Sequence, residues 1–265
     1  MENKLVLSVF GGIDVLGRGF EQNGFCVVQA QDKITGGEIR RFFPPINVFA
    51  GVIGGSPCQD FSALNRNPKG YSLEMQKEYC RVVDESNADW FLYENVARAP
   101  SFEIEGYSQQ RFALDLAWFN GYSRLRHFIF GSRSGVLLNP KIETIRITKG
   151  SAVVGNDSRS FRACCDIQGL PSDFDLPEFN ATGKKQVVAN AVPLPMADYV
   201  AKLINESIYS GVVAEKEIQH LRKCLCGCGR SVVGRAKTAG DACRKRYSRQ
   251  RKKVTENVPA TSQKH

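Results

Sequence analysis

Two residues carry most of the chemistry legible in this chain. Cys58 lies in Gly54-Gly55-Ser56-Pro57-Cys58-Gln59-Asp60-Phe61-Ser62, just after an apolar segment, and Glu94 lies in Tyr93-Glu94-Asn95-Val96, about one strand-helix unit later. A thiol at the C-terminal end of a buried strand is well placed to be a nucleophile. A carboxylate at the end of a neighbouring strand can serve as its acid or hydrogen-bond partner.

The elements that must position this pair follow from the apolar pattern. Lys4 to Phe10 is a short run of β-formers ending at Gly11-Gly12, and a helical pattern begins at Leu16 to Phe20. This predicts strand, turn and helix. Further strands are expected at Phe25 to Ala30, Phe49 to Ile53 and Trp90 to Tyr93, with a helix over Leu73 to Ser86. Strands alternating with helices predict an α/β fold with a largely parallel, doubly wound sheet of Rossmann-like type, and function in such sheets gathers at the carboxyl ends of the strands. Gly11, Gly12, Asp32, Cys58 and Glu94 all fall at such ends, which predicts a single site. Alone, the two glycines signal little, because a tight turn after a first strand needs glycine for backbone reasons. Asp32 can accept hydrogen bonds from ribose hydroxyls or stand as an exposed turn residue.

Composition sets the frame. With 265 residues and 42% apolar content the chain can bury one α/β domain of about 200 residues plus an appendage. The opening apolar run is too short for a signal core, and no membrane span is expected. A cytoplasmic protein is expected, in a bacterial or phage-infected cell. Net charge is +9, yet residues 215–265 hold 14 of the 36 Lys/Arg and only 4 of the 27 Asp/Glu. The basicity therefore belongs to the tail. A block this dense fits nucleic acid, whose phosphates release counterions when neutralised, or a solvated tail with no partner. Nine cysteines is an odd number, and Cys224, Cys226, Cys228 and Cys243 crowd into the tail. In a reducing compartment that grouping suggests a metal rather than disulfides.

In order along residues 4 to 205 the motifs resemble those of the cytosine-C5 DNA methyltransferases. Phe10-Gly11-Gly12-Ile13 resembles the family's first motif, with Asp14 and Val15 where two further glycines usually stand. Ala30-Gln31-Asp32 resembles the second motif, and Gly37 to Pro45 the third, with Glu38 for the usual Asp. Only five residues separate Asp32 from Glu38, where the family places a helix, so the adenine pocket is expected to be abbreviated. The Pro-Cys-Gln motif differs from the common form mainly by Ser56 for Pro, and Glu94-Asn95-Val96 is intact. Arg124-Leu125-Arg126 matches the Arg-x-Arg strand motif, Cys165 to Phe174 the ninth motif, and Gln186 to Pro195 the tenth, with Ala189 for the usual Gly.

The resemblance implies S-adenosylmethionine as cofactor, held by Phe10, Gly11, Gly12, Ile13, Asp32, Glu38, Asn190 and Val192. It also implies double-stranded DNA as partner. Cys58 would add to C6 of a flipped cytosine and make C5 nucleophilic. Glu94 would hold N3 and the exocyclic amine, and Arg126, with Arg124 as neighbour, would contact the ring or its phosphate. A methyltransferase domain over about residues 1–210 and a compact, monomeric protein are expected, of a size suited to restriction-modification or phage modification.

Between the eighth and ninth motifs the family holds a target recognition domain. Here only a short segment, about 133–160, is present, too short for a core of its own. Alternation of Ile142, Ile145 and Ile147 suggests a small strand, and Arg146, Lys149 and Arg159 are either phosphate contacts or parts of a solvated hairpin. In the tail, residues 211–254 look like a Cys-rich, basic, DNA-contacting module. Its four cysteines, with His220 nearby, would hold Zn²⁺ or stay free thiols in a basic arm. Residues 255–265 have a disordered composition. Besides the DNA methyltransferase, two readings stay open: a DNA-binding homologue that has lost turnover, and an RNA cytosine-C5 methyltransferase.

Overall fold

A computed structural model describes residues 2–209 except 31, 63–64, 66 and 142–148, and in the tail only 222–223, 231–232, 244–245 and 248. The chain divides into two compact units, Met1–Gly211 and Val212–His265. In the first the elements run β1 (Leu5–Val9), α1 (Val15–Gln22), β2 (Cys26–Gln29), β3 (Gly51–Gly54), α2 (Tyr71–Ser86), β4 (Trp90–Asn95), β5 (Ser108–Asp115), α3 (Ala117–Asn120), β6 (Tyr122–Ser123), β7 (Leu125–Ser132), β8 (Gly150–Ser151), α4 (Phe161–Gln168), α5 (Ala181–Asn190) and α6 (Leu194–Ile204). In the second, β9 (Arg222–Lys223) and β10 (Ser231–Val232) form an antiparallel pair.

Six strands build the main sheet in the order β2-β1-β3-β4-β7-β5. Neighbours from β2 to β4 pair in parallel, while β7 runs antiparallel between β4 and β5. The expected doubly wound sheet is therefore present with one reversed strand, whose amino end lies at the same edge as the carboxyl ends of the others. Alternation along β4 divides the core. Trp90 and Leu92 face the side covered by α1 and α4 to α6, and Phe91 and Tyr93 face α2. Gly19 lets α1 approach α6, because a Cβ there would come within 2.6 Å of Ala197. Phe25, expected inside the second strand, instead stands before it and packs its ring against Phe20 and Trp90, 5.1 and 6.0 Å away between centroids. Ala181–Tyr209 is long and apolar enough to cross a bilayer, but more than half of its most apolar stretch is buried in the fold.

The short stretch after the second strand forms two 3₁₀ turns, Lys33–Thr35 and Ile39–Arg41. They are tied to the start of α2 by Arg40 Nε donating to Glu74 (2.8 Å) and by Lys33 Nζ on the Tyr71 hydroxyl. The short segment before α4 contains β8, paired in parallel with β6. There Arg159 is folded into its own turn. It donates to Asp157 and to the carbonyls of Ser151 and Ala152, and its guanidinium holds the Asp157 carboxyl well below the usual range. Ile142, Ile145, Arg146 and Ile147 lie outside the described residues.

Candidate active site

Three strand ends bring the nucleophile and its partners together. β3 ends at Gly54, and Gly55 to Pro57 carry the chain over the sheet edge to Cys58. Gly55 is required there. A Cβ would sit 2.8 Å from both the backbone oxygen and Oε2 of Glu94. The loop is then fixed to α2 through Asp60, whose carboxylate accepts from the amides of Ser72 (2.8 Å) and Lys69 (3.1 Å) and so caps the first turn. Beneath the loop, Ser56 Oγ lies 2.7 Å from Tyr93 Oη, and Asn95 Nδ2 donates to Tyr93 Oη (2.7 Å) and to the Ser56 carbonyl (3.1 Å). Ser56, the departure from the usual proline, thus joins a buried polar network that fastens the Cys58 loop to β4. The network escapes sequence reasoning because Tyr93 reads as an ordinary strand aromatic.

Glu94 is 9% exposed. Its Oε1 accepts from Arg126 Nε at 2.9 Å, on the reversed strand β7. Burial pushes the Glu94 carboxyl up, and Arg126, then Arg124, pull it back. Burial and then the Glu94 charge also raise the Cys58 thiol, whereas Arg126 lowers it. The two groups are therefore linked: a proton on Glu94 removes the repulsion and leaves Arg126 to favour the thiolate. Glu94→Gln is expected to shift the pH profile of Cys58 alkylation by iodoacetamide to lower pH, and Arg126→Ala to higher pH. Unchanged profiles in both variants would remove the linkage.

Cys58, Glu94 and Arg126 line one cavity of about 240 Å³ together with Phe10, Gly11, Gly12, Ile13, Asp32, Glu38 and Asn190. Ile34, Tyr71 and Met75 supply its apolar walls. A flat aromatic base with a polar sugar suits such a lining. Phe10 holds φ 56°, a strained value for a bulky residue and one that occurs at functional turns. Asp32 caps its own turn, with Oδ1 accepting from the Ile34 amide at 2.9 Å. Glu38 Oε1 accepts from the Arg40 amide, and its Oε2 pairs with the Arg40 guanidinium at 3.2 Å.

Two expected site residues do not line the main cavity. Val192 lines a smaller neighbouring recess rather than the main cavity. Arg124 does not line the cavity. It is 6% exposed, and its guanidinium donates to the carbonyls of Val153 (3.2 Å), Ala189 (2.5 Å) and Ala191 (3.3 Å). Arg124 therefore serves as a positioning residue at the end of α5, where carbonyls lack helical partners and a cation is favoured. Burial and then Arg126 pull its pKa down to about 9, which leaves it cationic at neutral pH. Gln168 Nε2 adds donors to the carbonyls of Val188 (2.6 Å) and Ala191 (3.1 Å). Among the described residues no group of three or more His, Cys, Asp or Glu can hold a metal ion. Cys224, Cys226, Cys228 and Cys243 lie outside them.

A sequence profile of the C-5 cytosine-specific DNA methylases matches residues 17–116, which contain both Cys58 and Glu94. Over these residues the chain resembles this family. Among its relatives, the type II methyltransferase M.HgiDI of Herpetosiphon aurantiacus is 29% identical over 162 residues, covering 49% of this chain and 52% of that enzyme. The type II methyltransferase M.XorII of Xanthomonas oryzae is 30% identical over 125 residues, 36% of this chain and 29% of its own length. The chain thus spans about half, or less, of these curated relatives. The fold is shared with DNMT2 of Spodoptera frugiperda (TM-score 0.57, 12% identity, 76% of this chain and 99% of that one). It is also shared with the methyltransferase EhMeth of Entamoeba histolytica (TM-score 0.56, 10% identity, 78% and 99%). The cavity at the carboxyl edge of the sheet has a lining whose chemistry suits S-adenosylmethionine, the cofactor of that family.

Proposed function

We propose that this C5-methylase chain transfers a methyl group from S-adenosylmethionine to C5 of a cytosine in DNA. One observation carries the reading: Cys58, Glu94 and Arg126 share a single cavity with the β1 turn, Asp32 and Glu38. S-adenosylmethionine, held by the Phe10–Ile13 turn, Asp32, Glu38 and Asn190, supplies an electrophilic methyl group. The remaining chemistry belongs to side chains of the protein.

The Cys58 thiolate adds to C6, and the electron pair of the C5–C6 bond moves toward C5. Glu94, in its protonated form, donates to N3, where negative charge gathers as the thiolate adds. Arg126 holds the Glu94 carboxyl in place and offsets charge on the adduct. Once C5 carries the methyl group and S-adenosylhomocysteine is left, a water molecule takes the C5 proton, the C–H electron pair re-forms the C5–C6 double bond, and the Cys58 thiolate leaves C6. The cytosine must leave the duplex, because C6 is inaccessible in the base stack.

DNA is favoured as substrate by the family and by the charge of the tail. The test is transfer of a radiolabelled methyl group to duplex DNA and to RNA. Label on DNA alone is expected. Label on RNA alone would replace the substrate, and no label on either, with DNA binding intact, would leave a homologue without turnover.

A further inference from the structure

The chain departs from its family at Asp14, which stands where a glycine is usual. The structure turns this carboxylate inward. Asp14 holds φ 46° ahead of α1, and its Oδ1 accepts from Ser8 Oγ (2.8 Å) and from the Gly17 amide (3.0 Å). Among the described residues Asp14 forms no ion pair. The nearest arginine on its helix, Arg18, instead lies over the Phe174 ring, 5.2 Å from its centroid. Burial raises the Asp14 carboxyl, the mark of an anion short of compensation.

Asp14 lines a recess of about 50 Å³ with Ser8, Gly54 and Val192. The recess shares Phe10, Gly11, Gly55, Glu94, Asn190 and Ala191 with the main cavity, and none of Asp32, Ile34 or Glu38. It therefore branches from the Glu94 end, away from the nucleoside-binding end. The space suffices for a group the size of an ammonium ion.

We propose that Asp14 is the anionic contact for the ammonium of the cofactor's amino-acid end. The inference rests on reading the main cavity as the S-adenosylmethionine site. With the nucleoside between Asp32 and Ile34 and the reactive sulfur toward Cys58, the amino-acid end must continue past Glu94 into this recess. A carboxylate there, with Ser8 and the Gly17 amide holding only one of its oxygens, is a charged acceptor for an N–H donor. It also adds to the family pattern a negative charge that the usual glycine lacks.

Binding calorimetry on the full chain tests this with three probes: S-adenosylmethionine, S-adenosylhomocysteine and 5′-methylthioadenosine, which lacks the amino-acid end. Asp14→Asn keeps a neutral acceptor for the Gly17 amide and so keeps the cap of α1. It is expected to weaken the first two ligands at least about tenfold and leave the third within about twofold. Asp14→Ser, another capping residue, should give the same discrimination. Equal affinities in variant and wild type for all three, or an equal loss of all three, would overturn the contact. If the wild-type protein binds none of the probes, the reading of the cavity itself fails, a result distinct from failure of Asp14 alone.

Discussion

Cys58→Ala is expected to lower methyl transfer by roughly 10⁴-fold or more while leaving S-adenosylmethionine affinity within a few-fold of wild type. The size of the loss follows from the path. Without a nucleophile at C6 there is no electron-rich C5 for the methyl group to meet, and neither Glu94 nor Arg126 can substitute, because neither is a competent carbon nucleophile in this setting. Affinity should be spared because the proposed nucleoside end of the cavity, at Asp32, Ile34 and Glu38, is remote from the Cys58 loop in sequence and held separately by Lys33 and Arg40 on α2. DNA carrying 5-fluorocytosine gives the complementary result. Fluorine cannot leave C5 as a cation, so the thioether to Cys58 persists and appears as a covalent protein-DNA species on a denaturing gel. Cys58→Ala should give no such species. Retention of more than about a tenth of the wild-type rate would exclude the covalent path.

Arg124→Met is expected to destabilise the fold by about 3 kcal/mol or more, because it removes the donors to the carbonyls of Val153 and, at the end of α5, of Ala189 and Ala191. For a domain of this size that lowers the melting temperature by about 6–12 °C. Arg124→Lys should recover little, since a single ammonium cannot match the planar guanidinium across Val153, Ala189 and Ala191. Cofactor affinity should fall in parallel, as Ala189, Asn190 and Ala191 all line the cavity. Thermal melts with and without S-adenosylhomocysteine measure both effects. A melting temperature within 2 °C of wild type would show that Arg124 does not hold α5.

These two residues mark where the sequence is and is not legible. Cys58 and Glu94 could be placed because loops at the carboxyl ends of parallel strands converge, and the pattern of β-formers locates those ends to within a residue or two. Arg124 and Arg126 look equivalent in an Arg-x-Arg strand, with side chains on one face. Their separation depends on α5, whose carbonyls arrive 65 residues later in the chain. No local pattern carries that information. Asp14 was visible as a departure from the glycine pattern, but its inward turn onto Ser8 depends on a left-handed backbone conformation that composition does not reveal. Likewise the two 3₁₀ turns after β2 were foreseeable only as a gap too short for a helix.

The reversed strand β7 bears on how the protein comes to be active during synthesis. Domains tend to fold from the amino end as they leave the ribosome. The first 95 residues already contain β1 to β4 with Cys58 and Glu94, yet they lack the strand that brings Arg126 to Glu94. β7 must insert beside β4 and take β5 as its outer neighbour, and Arg124 finds its carbonyls only after residue 191 has been made. A nascent or truncated chain would therefore display the thiol beside an uncompensated carboxylate, in its least reactive state. Arg126 reaches Glu94 only when β7 has paired with β4, so a reactive Cys58 reports that the reversed strand is in place.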